Sequence, residues 1–148
     1  MPEFRLLRTG EVDAAARQHR IAGALIPGYD PTARSLQETG SAYQQVFEHG
    51  AVWGAFDGDT LLGHIALEPG WIEHLYVDPS RNGEGIGQAL IELAQAGQDD
   101  LQLFTYQSNQ RARHLYERLG FVVEAFGVDS GHPQRAPNVR YRWRRAVA

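Results

Sequence analysis

The sequence of 148 residues contains no cysteine. This absence excludes a disulfide framework, a thiolate nucleophile and a zinc site with cysteine ligands. There is also no run of about 18 consecutive apolar residues of the kind that crosses a membrane. The first residues, MPEFRLLRTGEVD, lack the apolar core and the small-residue cleavage pattern of a secretory signal. We therefore expect a soluble, cytoplasmic protein.

Lysine is absent as well, because all 14 basic residues are arginine. Schiff-base chemistry and the lysine of a phosphate-binding P-loop are therefore excluded. The net charge of −4 argues against a nucleic-acid surface, although residues 139–145, VRYRWRR, are locally basic. We interpret this segment as a solvated strand face, with a nucleic-acid patch as the alternative. The six histidines, at positions 19, 49, 64, 74, 114 and 132, form no i, i+4 pair, so we predict no metal site.

The length suits a single domain over residues 1–148, and no repeat or linker divides the chain. Periodicity and turn residues predict strands and helices in the order β, α, α, three β, α, β, α, β, β. For the second helix we expect Asp30 as the N-cap, Pro31 at the first helical position and a break at Gly40. The order predicts an α/β fold with a mixed, mostly antiparallel sheet of six to seven strands, flanked by about four helices. The predicted strands are 3–7, 51–56, 59–67, 71–77, 101–106, 121–128 and 138–143, and the helices 10–25, 30–50, 85–97 and 108–120.

Three glycines at alternate positions, Gly83, Gly85 and Gly87, separate the strand that ends at Val77 from the third long helix. A helix N-terminus presents unpaired N–H groups and a partial positive charge, which together bind phosphate. Glycine lets such a backbone approach a ligand closely. We therefore interpret the segment as a phosphate cradle, with a tight strand-to-helix turn as the alternative. It does not match the dinucleotide fingerprint G-x-G-x-x-G, because Gln88 or Leu90 stands where the last glycine would be.

Two longer stretches resemble one family. LYVDPSRNGEGIGQALIELA is similar to the acyl-CoA-binding motif of the GNAT superfamily of N-acetyltransferases, Arg/Gln-x-x-Gly-x-Gly/Ala after a strand. NQRARHLYERLGFVV resembles the later motif of that family, an Asn-capped helix with a tyrosine followed by Gly-Phe, and RAPNVRYRW resembles the last strand of many small bacterial members. One departure is that Asn82 occupies the slot that usually holds Arg or Gln, with Arg81 one place earlier. The resemblance implies the acyl-CoA N-acyltransferase fold and direct transfer of an acetyl group from acetyl-CoA to a primary amine of a small molecule or protein.

The resemblance also implies which residues bind the co-substrate. Backbone donors over 82–87, with additional ones just inside the helix, would hold the diphosphate. Backbone groups of 75–77 would pair with the pantetheine arm where their strand splays from the next one, and the amide near Leu75 would face the thioester carbonyl. Asn109 would contact the pantetheine amides or only cap its helix. The full set is Leu75, Tyr76, Val77, Asn82, Gly83, Glu84, Gly85, Ile86, Gly87, Gln88, Asn109 and Tyr116.

Tyr116 is the predicted general acid, because a phenol with a pKa of ~10 can stabilise a leaving thiolate whose conjugate thiol has a pKa of ~8.5. The alternative is a core tyrosine, since Tyr116 lies on the apolar face of its helix. Glu73 is the predicted base, acting directly or through water, because it lies two residues before Leu75 on the same side of the pleat. Two further candidates, each of which could equally be a surface polar residue, are His64 and Glu68 on the preceding strand, whereas His74 points the other way if its strand is regular.

Two other functions stay open: an acyl-CoA sensor or interaction domain without turnover, and a nucleotide-binding protein that uses the same glycines. The resemblance is compatible with a homodimer. The sequence does not identify the amine acceptor. Candidate acceptor contacts are Tyr29, Tyr43, Trp53, Trp71 and the loop 129–138.

Overall fold

The structure, a computed structural model, describes residues 1–128 and 137–146. Its elements follow the predicted order, with short 3-10 turns at Thr9–Glu11 and Pro79–Arg81. In these ranges the strands are β1 (Glu3–Leu6), β2 (Ala51–Asp57), β3 (Thr60–Glu68), β4 (Trp71–Val77), β5 (Asp100–Tyr106), β6 (Val122–Val128) and β7 (Pro137–Arg144). The helices are α1 (Val12–Gly23), α2 (Leu36–His49), α3 (Ile86–Gly97) and α4 (Gln110–Arg118).

All seven strands belong to one sheet, in the order β1-β2-β3-β4-β5-β7-β6. Every neighbouring pair is antiparallel except β4 and β5, which are parallel because α3 forms the crossover between them. The predicted mixed, mostly antiparallel sheet with four helices is therefore confirmed. Among the described residues, no helix has both the length and the apolar character needed to cross a bilayer.

The helices pack against the sheet through two clusters of buried apolar side chains. Tyr43 and Val46 of α2 belong to one cluster, together with small side chains of α1 and with Val52 of β2. Leu90 of α3 and Tyr116 of α4 belong to the other, which includes central residues of β3, β5 and β7. The apolar faces that periodicity predicts for α3 and α4 are thus the faces that pack on the sheet.

The start of α2 differs from the prediction. The N-cap is Ser35, whose hydroxyl accepts a hydrogen bond from the Glu38 N–H at 3.1 Å while the Glu38 carboxylate accepts one from the Ser35 N–H at 2.9 Å. Asp30 instead accepts from the Thr32 N–H at 2.8 Å and so forms a local turn. The predicted cap at Asp30, with Pro31 in the helix, is therefore wrong. The break at Gly40 is wrong too, because α2 continues through it.

The arginines of the basic segment in β7 have acidic or polar partners. Arg142 makes two hydrogen bonds to the Asp100 carboxylate, at 2.9 and 2.6 Å, and Arg145 donates to Asp99 at 2.7 Å. Arg140 donates to the Gln102 side chain at 2.7 Å. These partners favour the interpretation of this segment as a strand face.

Candidate active site

The two parallel strands, β4 and β5, meet at one end only. Their register contains a single pair, Trp71 with Gln102, and the Gln102 N–H donates to the Gly70 carbonyl at 2.8 Å. Farther along, β4 stays paired with β3 as far as Val77. Over Leu75–Val77, the edge of β4 that faces β5 therefore forms no strand pair with β5. This opening is where the resemblance expects the pantetheine arm.

Two cavities meet at this opening. The first has a volume of about 540 Å³ and lies between β4, β5 and the α1–α2 side of the sheet. The second, of about 950 Å³, runs along the glycine segment and the start of α4. Five residues line both cavities: Ile26, Leu75, Tyr76, Asn109 and Ala112. A ligand in the second cavity can therefore reach the first past Leu75.

Most of the predicted co-substrate residues line the second cavity. Glu84 lines neither cavity, and its carboxylate lies 3.4 Å from the Arg81 guanidinium. Tyr116 lines the first cavity rather than the second. The predicted residues in the wall of the second cavity are Leu75, Tyr76, Val77, Asn82, Gly83, Gly85, Ile86, Gly87, Gln88 and Asn109.

The structure accounts for glycine at these three positions in different ways. Gly83 and Gly85 adopt φ angles of 88° and 82°, which favour glycine, so a turn accounts for both. Gly87 has no positive φ, and a Cβ there would lie 3.4 Å from Leu115 and 3.7 Å from Val77, which are ordinary contacts. Neither backbone conformation nor packing therefore requires glycine at Gly87. Gly87 lines the second cavity, where the lack of a side chain leaves room for a ligand to approach the backbone closely.

The N-terminus of α3 fits a diphosphate. Its N-cap is Gly85, which has no side chain to bind the first N–H groups, and the first turn carries no acidic residue. The backbone N–H groups of Ile86, Gly87 and Gln88 are the ones that an α-helix leaves without an intrahelical acceptor. With the helix dipole, these groups on the wall of the second cavity have the chemistry to bind an anion.

Tyr116 lies in the wall of the first cavity and in the core at once. Only 6% of the residue is exposed, and its ring packs 5.6 Å from Phe121 and 6.0 Å from Tyr141. Burial raises the pKa of Tyr116, so the phenol is neutral and can donate a hydrogen bond into the cavity. The nearby Asn109 caps α4, since its side-chain oxygen accepts from the Ala112 N–H at 3.3 Å.

The three predicted base candidates separate into two groups. Glu68 and Glu73 line the first cavity, and so does His74, which a regular strand would point the other way. Burial raises the pKa of Glu73, and the charge of Glu68 raises it further. His64 lines neither cavity; it is fully buried and both ring nitrogens lie within hydrogen-bonding distance of side chains, Tyr43 and Gln18.

The candidate acceptor contacts separate in a similar way. Tyr29 and Trp71 line the first cavity, and Trp71 stacks on Phe104 with ring centroids 5.6 Å apart. Tyr43 is fully buried and lies behind the cavity wall, where its ring stacks on His74 at 4.5 Å. Trp53 lines neither cavity. Residues 129–136 of the predicted acceptor loop lie outside the described residues.

Among the residues of the first cavity that sequence reasoning missed is His19 on α1. Its ring lies 4.2 Å from that of Tyr76 and 5.0 Å from that of His74. No spacing pattern marks His19, because its neighbours in the fold come from β4 and α2. A strand-helix contact of this kind becomes visible only in three dimensions.

Comparison with known proteins supports the resemblance. A family model described as "Acetyltransferase (GNAT) domain" matches residues 48–123. The mycothiol acetyltransferase of Gordonia bronchialis is 35% identical over 81 residues, which cover 51% of this chain and 24% of that protein. The peptidyl-lysine N-acetyltransferase YiaC of Escherichia coli is 32% identical over 72 residues, or 48% of this chain and 49% of that protein. The matches thus span from about a quarter to about half the length of these relatives.

Solved structures share the fold over nearly the whole chain. The structure of yncA from Salmonella typhimurium, a "putative acetyltransferase" solved with its cofactor acetyl-CoA, superimposes with a TM-score of 0.76 at 15% identity. That match covers 100% of this chain and 96% of yncA. The solution structure of YjaB from Escherichia coli gives a TM-score of 0.71 at 20% identity and covers 99% of each chain. At these identities the likeness is one of fold.

Proposed function

Because the chain belongs to the GNAT acetyltransferase family, we propose that it transfers an acetyl group from acetyl-CoA to a primary amine. The acceptor would be a small molecule or a peptide, in agreement with relatives named for mycothiol and for peptidyl-lysine. The observation that carries the proposal is the junction of the two cavities at Leu75, between the anion site of α3 and the chamber lined by Tyr116.

Acetyl-CoA, when bound, supplies the acetyl group as a thioester. The chain's own contribution begins at α3, where the N–H groups of Ile86, Gly87 and Gln88 would hold the diphosphate. The open edge of β4 over Leu75–Val77 offers main-chain groups for the pantetheine arm. The amide near Leu75 would polarise the thioester carbonyl, because a fixed donor stabilises the negative charge that develops on that oxygen.

Tyr116 would then assist the departure of sulfur. As a neutral phenol in a buried wall, it donates a hydrogen bond to the developing thiolate and can supply its proton. Glu73 is the candidate that the sequence offers for the base, directly or through water; it lines the same cavity, and burial raises its pKa, as suits a proton acceptor. Asn82, in place of Arg or Gln, leaves the diphosphate to backbone donors.

We expect the protein to act in the cytoplasm. We also expect a homodimer, because the edge strand β6 exposes 61% of Val122 and 60% of Phe126, which light scattering of the purified protein would test.

Calorimetry and a turnover assay test the activity. Acetyl-CoA should bind, whereas ATP and NAD should not, and acetyl-CoA with a panel of amines, peptides and aminoglycosides should release free CoA. Preferential binding of ATP or NAD would contradict the proposal. Tight binding of acetyl-CoA without CoA release from any acceptor would favour the alternative of an acyl-CoA sensor.

A further inference from the structure

A chain of hydrogen bonds begins at Gln18 of α1, passes through His64 of β3 and Tyr43 of α2, and returns to the next residue of α1, His19. The Gln18 side-chain oxygen lies 2.7 Å from Nδ1 of His64, and Nε2 of His64 lies 2.8 Å from the Tyr43 hydroxyl. The same hydroxyl lies 2.8 Å from Nδ1 of His19. The chain thus links β3 and α2 to the one histidine of α1, which lines the first cavity.

The position of each hydrogen can be assigned from one end of this chain. The Gln18 amide nitrogen donates to the Leu61 carbonyl at 3.0 Å, so the Gln18 oxygen must be the acceptor toward His64. A reversed amide would place its oxygen against the Leu61 carbonyl oxygen. Nδ1 of His64 therefore carries a proton. Because burial lowers the pKa of His64 to about 3, that is its only ring proton near neutral pH.

The assignment continues through Tyr43. Nε2 of His64 has no proton, so it accepts a hydrogen bond from the Tyr43 hydroxyl. Burial raises the pKa of Tyr43 well above its usual value, so the phenol keeps this proton. Its oxygen is then an acceptor, and Nδ1 of His19 must donate to it. In neutral His19 the proton is therefore on Nδ1, and Nε2 carries the lone pair.

With its proton on Nδ1, neutral His19 can accept a second proton at Nε2. The ring edge with Nδ1 is held by Tyr43, so the edge with Nε2 lies on the far side of the ring from Tyr43. The bond from Nδ1 also persists when the ring is protonated, because Nδ1 is a donor in both states. His19 shares the walls of the first cavity with Leu75 and Tyr116, the residues that flank the reacting atoms in the proposed function.

We propose that Nε2 of His19 accepts the proton of the acceptor amine during acetyl transfer, an inference that rests on the proposed function. As the N–C bond forms and the C–S bond breaks, His19 takes the proton from nitrogen and the Tyr116 hydroxyl gives one to sulfur. Solvent then returns a proton to Tyr116 and removes one from His19, so that protons balance over the cycle. Tyr43, His64 and Gln18 are positioning residues, since they fix the tautomer without contacting the substrate.

Several titratable groups face His19. Tyr43 faces it from α2, His74 and Tyr76 face it from β4, and His64 on β3 lies behind Tyr43. Burial raises the pKa of Tyr76 well above its usual value, so it is uncharged near neutral pH. The charged side chains in the walls of the same cavity are Arg34, Glu68 and Glu73.

The first test reads the tautomer directly and needs no substrate. Long-range proton–nitrogen NMR correlations of the protein with ¹⁵N-labelled histidine distinguish Nδ1–H from Nε2–H in a neutral ring. The His19 signals are those missing from the His19→Asn variant. We expect Nδ1–H for His19 in the unaltered protein and a shift toward Nε2–H in Tyr43→Phe. A neutral His19 with its proton on Nε2 in the unaltered protein would overturn the inference.

The second test measures the reaction with the best acceptor of the amine panel. Asn in place of His19 can still donate to Tyr43 but cannot accept a proton. We expect His19→Asn to lower kcat/KM for the amine by about 100-fold or more. We also expect it to remove the rising limb of the pH profile of kcat/KM, and to leave acetyl-CoA affinity within about twofold. The matched control is His49→Asn, at an exposed histidine that lines neither cavity.

Comparison with Glu73→Gln separates the two candidate bases. A pH profile that loses its rising limb in His19→Asn and keeps it in Glu73→Gln supports the inference. The opposite result overturns it while leaving the proposed function intact. If the unaltered protein acetylates no amine of the panel, the proposed function loses its support, and the NMR result alone decides whether His19 has the acceptor tautomer.

Discussion

The Tyr43 hydroxyl and Nε2 of His64 lie 2.8 Å apart, and both residues are completely buried. Burial lowers the pKa of His64 to about 3, whereas an exposed histidine in the unfolded chain titrates near a pKa of ~6.5. The folded state therefore keeps His64 neutral in a pH range where the unfolded state gains a proton.

This pair makes the free energy of unfolding depend on pH. The folded-state pKa of His64 is depressed, so its contribution is fully present above pH ~6.5 and is lost as the pH falls toward about 3. The loss should approach about 1.4 kcal/mol per pH unit within that window. Urea unfolding between pH 7 and pH 4 should show a steeper decline for the unaltered protein than for His64→Gln. Equal slopes would mean that His64 is protonated in the fold.

Gly87 tests whether a ligand approaches the start of α3. Because a Cβ at Gly87 would make only ordinary contacts within the protein, Gly87→Ala should fold normally. Its acetyl-CoA affinity should fall by about tenfold or more, since the methyl group would stand between the N–H donors and the diphosphate. Calorimetry measures the affinity. The control is Gly40→Ala in α2, where a Cβ meets nothing within 4 Å and alanine should stabilise the helix by about 1 kcal/mol.

Tyr116→Phe tests the proposed acid. Removing the hydroxyl should lower kcat by about 100-fold while leaving acetyl-CoA affinity nearly unchanged, because the ring still fills its place in the core. The matched control is Tyr141→Phe, which removes another buried phenol that lines neither cavity and binds Arg113 at 3.0 Å. That control should lose stability and keep its turnover. Full turnover in Tyr116→Phe would restrict Tyr116 to a packing role.

An ion pair near the N-terminus gives a second pH prediction. The Arg5 guanidinium binds the Glu11 carboxylate at 2.8 and 2.9 Å and holds the pKa of Glu11 at about 2. The stability from this lowered pKa is present above the unfolded value of ~4.3 and is lost as the pH falls through about 2. Glu11→Gln should cost about 1 kcal/mol at pH 7 after solvent screening, and the difference should shrink between pH 4 and pH 2. Urea unfolding checks this, with the exposed Glu92→Gln as control.

The order of elements was predictable from the sequence because each element has its own periodicity and turn residues. The start of α2 was predictable too: Ser35 and Glu38 have the spacing of a capping box, a stronger signal than the Asp-Pro pair at Asp30. The divergence of β4 from β5 was not predictable from side chains alone, since a splayed strand has the same alternation as a regular one.

In the candidate site, too, some features were predictable from the sequence and others were not. The glycine segment and the helix with Tyr116 are continuous stretches of chain, so their motifs can be recognised in the sequence. The hydrogen-bond chain that begins at Gln18 and ends at His19 passes through Tyr43 and His64 on two other elements, and no sequence motif relates those two residues to α1. The sequence also presented His64 as a base candidate, because it does not reveal that this imidazole lies behind the cavity wall rather than in it.

The single register pair between Trp71 and Gln102 also has a mechanical consequence. It divides the sheet into a half of four strands and a half of three, joined along β4 and β5 by main-chain hydrogen bonds at one end only. A pantetheine arm lying in the gap would tie the two halves together. Occupancy would then restrain their hinge-like motion, and amide exchange would slow in strands far from the ligand.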